Sequence, residues 1–199
     1  MIDSHTHLGS FPLFNVSMDP DEMIKLMDEY AIEVCVVCSQ PNSLTREAVK
    51  KYPGRLIGLV WVDPKNGAEA AGEVEKAVRE WGFKGVKMHP LLDSFLPDDE
   101  VINPVMETAR KLQAPILFHS GHPPWSLPWH FGNLADRFPD AKIILGHMGH
   151  GHIVYINGSI EVASKHENIY LETSGMPMHS KVKQAVDQVG MEKVLYRLA

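Results

Sequence analysis

Short apolar segments alternate with longer amphipathic ones from one end of this chain to the other, and that alternation restricts the fold more than any other feature. The strand candidates are 2–7, 33–38, 56–62, 85–89, 115–119, 142–147, 169–173 and a stump at 193–196. Helical patterns lie between them at 19–30, 43–52, 66–81, 98–112, 127–138, 153–166 and 180–189. Asp19-Pro20-Asp21-Glu22 reads as an N-cap, a proline in the first turn and acidic residues facing the positive helix end. Ala70, Val74, Ala77, Val78 and Trp81 share one helical face, which stops at Gly82. A helix after each strand forces right-handed crossovers and a parallel sheet. Repeats of roughly 25 to 30 residues suit an α/β chain closed into a (β/α)8 TIM barrel, with an open doubly wound sheet as the alternative. The whole of 1–199 is expected to form one domain, its eighth strand truncated.

Where the polar residues fall favours the barrel. His119 ends Ile116-Leu117-Phe118-His119, His147 ends Ile143-Ile144-Leu145-Gly146-His147, and His89 ends Gly85-Val86-Lys87-Met88-His89, with Lys87 two residues earlier on the same face. His5-Thr6-His7 lies on the first strand, where side chains two apart point the same way and offer two nitrogen ligands to one cation. In a barrel the carboxyl ends of all strands gather on one rim, where active sites form. A cation there, with an open position, lowers the pKa of bound water towards ~7 and polarises a carbonyl or carboxylate oxygen, while a nearby imidazole shuttles the proton.

Composition narrows the partners. A net charge of -6, with no basic run longer than Lys50-Lys51, argues against nucleic acid and leaves small-molecule substrates. No apolar run reaches membrane-span length and no leader precedes the first strand, so a cytoplasmic protein without a membrane partner is expected. Cys35 and Cys38 have redox-motif spacing but sit in a β-branched strand, where their sulfurs diverge; they read as core residues. His122, His130, His150 and His152 fall in the loops after strands five and six, and of these His150 is the candidate substrate contact. His166 and His179 read as surface residues flanking helices. Trp125, Trp129 and Phe131, set among Pro123, Pro124 and Pro128, make a stiff aromatic loop near the same rim.

Five segments together resemble the amidohydrolase superfamily, in its amidohydrolase-related branch that includes the aminocarboxymuconate-semialdehyde decarboxylase-like enzymes. They are Asp3-Ser4-His5-Thr6-His7, Gly85-Val86-Lys87-Met88-His89-Pro90, Phe118-His119-Ser120-Gly121, Leu145-Gly146-His147-Met148-Gly149 and Tyr170-Leu171-Glu172-Thr173-Ser174, spaced in family order over nearly the whole chain. The resemblance implies one divalent metal, usually zinc, held by His5, His7 and His119 with an aspartate from strand eight. It implies His147 as the catalytic acid/base, a metal ligand only where a second ion is present. Lys87 and His89 are then expected to face a carboxylate-bearing substrate.

The family's eighth strand continues into Gly-Ser-Asp, whereas here Lys193-Val194-Leu195-Tyr196 runs into Arg197-Leu198-Ala199 without an aspartate. Three imidazoles still leave zinc open positions, so weakened metal binding is expected. A missing eighth strand exposes the edges of strands one and seven, which a second copy would cover, hence an expected dimer. The leading functional expectation is a metal-dependent hydrolase of a small cyclic amide, ester or lactone. The alternatives are a zinc-dependent non-oxidative decarboxylase of a carboxylated small molecule, and a catalytically impaired barrel that binds a ligand or partner. A TatD-like nuclease also opens on His-x-His but fits less well, because strand four presents no carboxylate.

Overall fold

The computed structural model describes residues 1–11 and 15–196. In chain order come β1 (Ile2–Thr6), a small antiparallel hairpin of β2 (Gly9–Phe11) and β3 (Val16–Met18), then α1 (Pro20–Glu29), β4 (Val34–Val37), α2 (Asn42–Lys51) and β5 (Leu56–Trp61). The chain continues through α3 (Ala68–Glu80), β6 (Gly85–Met88), the single turn α4 (Pro90–Asp93), α5 (Asn103–Lys111), β7 (Ile116–His119) and α6 (Pro128–Arg137). It closes with β8 (Ile143–Gly146), α7 (Ile153–Lys165), β9 (Ile169–Glu172), α8 (His179–Val189) and β10 (Val194–Leu195). Eight parallel strands pair in the order β1-β4-β5-β6-β7-β8-β9-β10. A doubly wound sheet would reverse its order at a switch point; this one never does, and the fold is the (β/α)8 TIM barrel.

Period-two alternation decides which residues build the wall and which fill the barrel. Val86, Met88, Ile116, Phe118, Ile143, Leu145, Ile169 and Leu171 point outward and join Val74, Ala77, Met106, Leu134, Ile156 and Ile160 of the helices in the main core. The opposite phase carries Leu59, Leu117 and Cys38 inside, and above them Lys87, His119 and Glu172, all buried. Cys35 packs outward among Met23, Met27 and Ala48, so the two cysteines face opposite sides and form no disulfide, as their strand spacing requires.

Local signals set most boundaries. Asp19 accepts the amides of Asp21 and Glu22 at 2.8 and 2.9 Å and starts α1 where the sequence places it. α5 begins later than expected, at Asn103, because Asp99 caps a separate 3-10 turn over Glu100–Ile102. Asp98 is instead drawn to α6, where it meets His130 Nδ1 and Asn133 Nδ2, each at 2.8 Å. The hairpin has no counterpart in the sequence pattern, because three-residue strands give no periodic signal. Phe131 turns into the core against Phe118 and packs the fold, whereas Trp129 lies exposed on the surface.

The eighth strand is present as the two residues of β10, paired in register with Leu171 and Glu172. Ser4 reaches across from β1, its N and Oγ both donating to the Tyr196 carbonyl, at 3.3 and 2.8 Å. The edges expected to lie open are thus bridged at this seam. Arg197, Leu198 and Ala199, on which the truncation reading turns, lie outside the described residues. No helix among the described residues is long and apolar enough to cross a membrane.

Candidate active site

On one side of the rim, β1, β8 and β9 bring three imidazoles against oxygen acceptors. His5 is fully buried in β1, its Nδ1 3.0 Å from Glu172 Oε2 and its Nε2 3.2 Å from Lys87 Nζ. A carboxylate only accepts and an ammonium only donates, so this pair of contacts assigns a neutral His5 with its proton on Nδ1. His7, one residue past the end of β1, donates from Nδ1 to the Cys38 carbonyl. His147, after β8, donates from Nδ1 to the Ser174 carbonyl at 2.9 Å. The His5 ring centre lies 4.9 Å from that of His7 and 5.1 Å from that of His147. In the neutral ring this leaves the lone pair on Nε2, the atom that faces Lys87 in His5 and the one such a tautomer offers to a metal.

The β6 and β7 side is built by stacking. His89 lies between Trp61, at 5.6 Å and 8°, and His119, at 4.0 Å and 14°. His122 continues the stack at 4.7 Å, with its Nδ1 2.6 Å from His119 Nε2, and His150 closes on His122 at 4.5 Å between ring centres. Burial drives His89, His119 and His122 to the neutral form. It pushes the His89 pKa down to about 3, helped by the Lys87 charge, and His89 Nδ1 then accepts the Leu92 amide at 3.2 Å. Burial first, and His89 second, hold His119 far below the ordinary histidine range, and burial together with His150 lowers His122.

Two glycines hold the halves together. A Cβ on Gly121, which has φ +93°, would lie 2.2 Å from the Gly149 backbone. A Cβ on Gly149 would meet the Tyr155 backbone at 2.4 Å. Only residues without a side chain let the His119 and His147 loops approach so closely.

Among the described residues, two groups bring three ligand atoms within 4.8 Å of one another: His5, His7 and Cys38, and His5, His147 and Glu172. His119 belongs to neither; its ring centre is 4.7 Å from that of His147. The structure thus places His5, His7 and His147 together, with Lys87 beside His5, while His89, His119 and His150 form the facing wall. His130 and His166 pair with Asp98 and Asp136, and His152 caps α7, so these serve the scaffold. Sequence reasoning gave no role to Glu172, Ser174 or Cys38. Glu172 was findable, since a carboxylate at the end of a strand, in phase with the inward positions, must lie inside the barrel. A cavity of about 390 Å³, lined by Ser174, Gly175, Met176, His179, Val182 and Tyr196, opens beside this cluster.

Family matching assigns residues 2–196 to one family, described as Amidohydrolase. The chain belongs to the amidohydrolase family. Within it the relatives fall in the aminocarboxymuconate-semialdehyde decarboxylase-like branch. A γ-resorcylate decarboxylase of Polaromonas sp. is 26% identical, over 88% of this chain and 75% of its own length. The 2-amino-3-carboxymuconate-6-semialdehyde decarboxylase of Dictyostelium discoideum is 22% identical over 72% of this chain and 51% of its own length. The 5-carboxyvanillate decarboxylase of Novosphingobium aromaticivorans, crystallised with manganese and 4-hydroxy-3-methoxy-5-nitrobenzoic acid, superposes with a TM-score of 0.79. It is 16% identical, with 99% of this chain and 85% of that one covered, and it attests the fold. This amidohydrolase is an enzyme of the metal-dependent hydrolase or decarboxylase kind.

Proposed function

We propose that this amidohydrolase is a metal-dependent, non-oxidative decarboxylase of an aromatic carboxylic acid. The observation that carries the reading is the shared state of His5, His7 and His147, each with Nδ1 tied to an oxygen acceptor and Nε2 presenting its lone pair. That donor chemistry fits a divalent cation, for which His5 and His7 are the first ligands and His119 the third. His147 stays outside a single-ion site and would become a ligand only to a second one. Imidazole donors suit zinc, and the Novosphingobium relative carries manganese; metal analysis of protein from medium containing both ions distinguishes them. When bound, the metal supplies Lewis-acid stabilisation of negative charge on the substrate's oxygens.

The chain's own residues do the rest. Decarboxylation requires a proton to reach the ring carbon that bears the carboxylate, after which the C–C bond breaks, its electron pair returns to the ring and CO2 leaves. His147, its Nδ1 fixed on the Ser174 carbonyl, takes up a proton from water at its Nε2 lone pair and delivers it to that carbon. Lys87 and the His89 wall orient the substrate's anionic end, with His150 at the loop side. The curated relatives are named as decarboxylases, and this supports the decarboxylation alternative over hydrolysis of a cyclic amide, ester or lactone.

Incubation of the manganese- or zinc-loaded protein with a panel of hydroxybenzoates and 5-carboxyvanillate tests this by CO2 release. The expected result is metal-dependent turnover of at least one aromatic acid, abolished by chelation. Turnover of lactones or cyclic amides without CO2 release would overturn it in favour of hydrolysis. Metal and ligand binding without any turnover would favour the impaired barrel.

A further inference from the structure

We propose that Glu172 and Ser174 form one positioning unit that sets the tautomers of His5 and His147 together, linking the metal-binding side of the site to its acid/base side. This deepens the reading above and rests on it for the kinetic readouts, though not for the spectroscopic one.

Four donors converge on the Glu172 carboxylate, which is fully buried. Oε2 takes His5 Nδ1 at 3.0 Å, Ser174 Oγ at 2.6 Å and the His147 amide at 3.3 Å, and Oε1 takes the Ser174 amide at 2.6 Å. The Ser174 hydroxyl proton is thereby committed to Glu172. Its oxygen, 2.8 Å from His147 Nδ1, can only accept, as the Ser174 carbonyl does at 2.9 Å. His147 must then carry its proton on Nδ1. On His5 the same conclusion follows twice, because Lys87 donates to Nε2 while Glu172 accepts from Nδ1.

One carboxylate therefore holds two rings whose tasks differ: His5 directly, and His147 through the Ser174 hydroxyl, which also lies 3.2 Å from His5 Nδ1. Such outer partners keep a ligating imidazole in the right tautomer and raise its basicity. The local fold makes this possible: β9 turns Ile169 and Leu171 outward, so Glu172 points in, and Ser174 follows two residues later. A glutamine at 172 has one acceptor oxygen, and its amide would confront at least one of the four donors. An aspartate keeps the charge but falls short by one methylene.

Long-range proton–nitrogen spectra of the histidine side chains, together with chelator-competition metal titration, test the unit. In the wild type both His5 and His147 are expected with the proton on Nδ1. Glu172→Gln is expected to lose that tautomer on His5 and to weaken metal binding about 10- to 100-fold, with Glu172→Asp recovering part of the loss. Ser174→Ala is expected to leave metal affinity within about twofold and to lower kcat about tenfold, because His5 loses its 3.2 Å contact to the Ser174 hydroxyl but keeps Glu172 at 3.0 Å, whereas His147 loses its link to the carboxylate. The proposal fails if either ring of the wild type carries its proton on Nε2. It also fails if Glu172→Gln keeps both tautomers and the wild-type metal affinity. Should Glu172→Gln not fold, an unchanged kcat in Ser174→Ala would overturn the proposal by itself. A wild type that releases no CO2 yet shows both Nδ1 tautomers sinks the decarboxylase reading and leaves this unit standing.

Discussion

The two walls of the rim are both lined with histidine, yet they hold it by opposite means. Around β1, β8 and β9 each ring is tied through Nδ1 to an oxygen: a carboxylate for His5, backbone carbonyls for His7 and His147. Around β6 and β7 the rings are stacked face to face and driven neutral by burial, from Trp61 through His89 and His119 to His122. Hydrogen bonding fixes which nitrogen is basic, whereas stacking fixes only where the ring plane lies. The first kind of restraint sets which nitrogen a ring offers to a cation or a proton; the second suits a wall against a flat substrate, and there His119, the proposed third ligand, depends on its contact with His122 Nδ1.

The hydrogen-bonded wall is most sensitive at His5. His5→Ala should leave the protein with less than a tenth of the wild-type metal content after dialysis, measured by elemental analysis, and with no decarboxylation above background. Next, His147→Asn should keep the metal and lose about 10²–10⁴-fold in kcat, the usual worth of a positioned acid/base group. Retained kcat would remove His147 from that role. Gly121→Ala tests the seam between the walls: its Cβ would lie 2.2 Å from Gly149 and its φ is +93°, so a loss of about 1–3 kcal/mol in denaturant unfolding is expected. On the stacked wall, His122→Phe preserves a flat ring while removing the contact to His119 Nε2. Metal affinity should then move by less than about tenfold, and a larger loss would place His122 among the ligands.

The smallest effect concerns pH. His89 has its pKa lowered from 6.5 to about 3 in the folded chain, so the fold favours its neutral form. That contribution is complete above pH 6.5 and is lost progressively as the pH falls from there towards 3. His89→Gln should therefore show a shallower decline in melting temperature across that interval in metal-free protein. Parallel acid limbs for the two proteins would contradict the assignment.

Much of this was readable from residue order. Alternating apolar and amphipathic segments, Asp19 before Pro20 and histidines closing inward strand phases determine a parallel barrel with an imidazole-rich rim, because hydrophobic period and capping act over a few residues. Which nitrogen each ring offers was beyond that reach. It depends on Lys87, Glu172 and Ser174, which lie 82, 167 and 169 positions from His5 and meet it only when the barrel closes. The expected trio of His5, His7 and His119 is likewise a matter of strand placement. The sequence set all three at strand ends, and the tertiary structure grouped His5 with His7 and His147 and gave His119 to the stacked wall. Sequence determined which elements form and which side chains face inward, through local periodicity; only closure of the barrel decided their partners, because hydrogen bonds between strands are contacts across space.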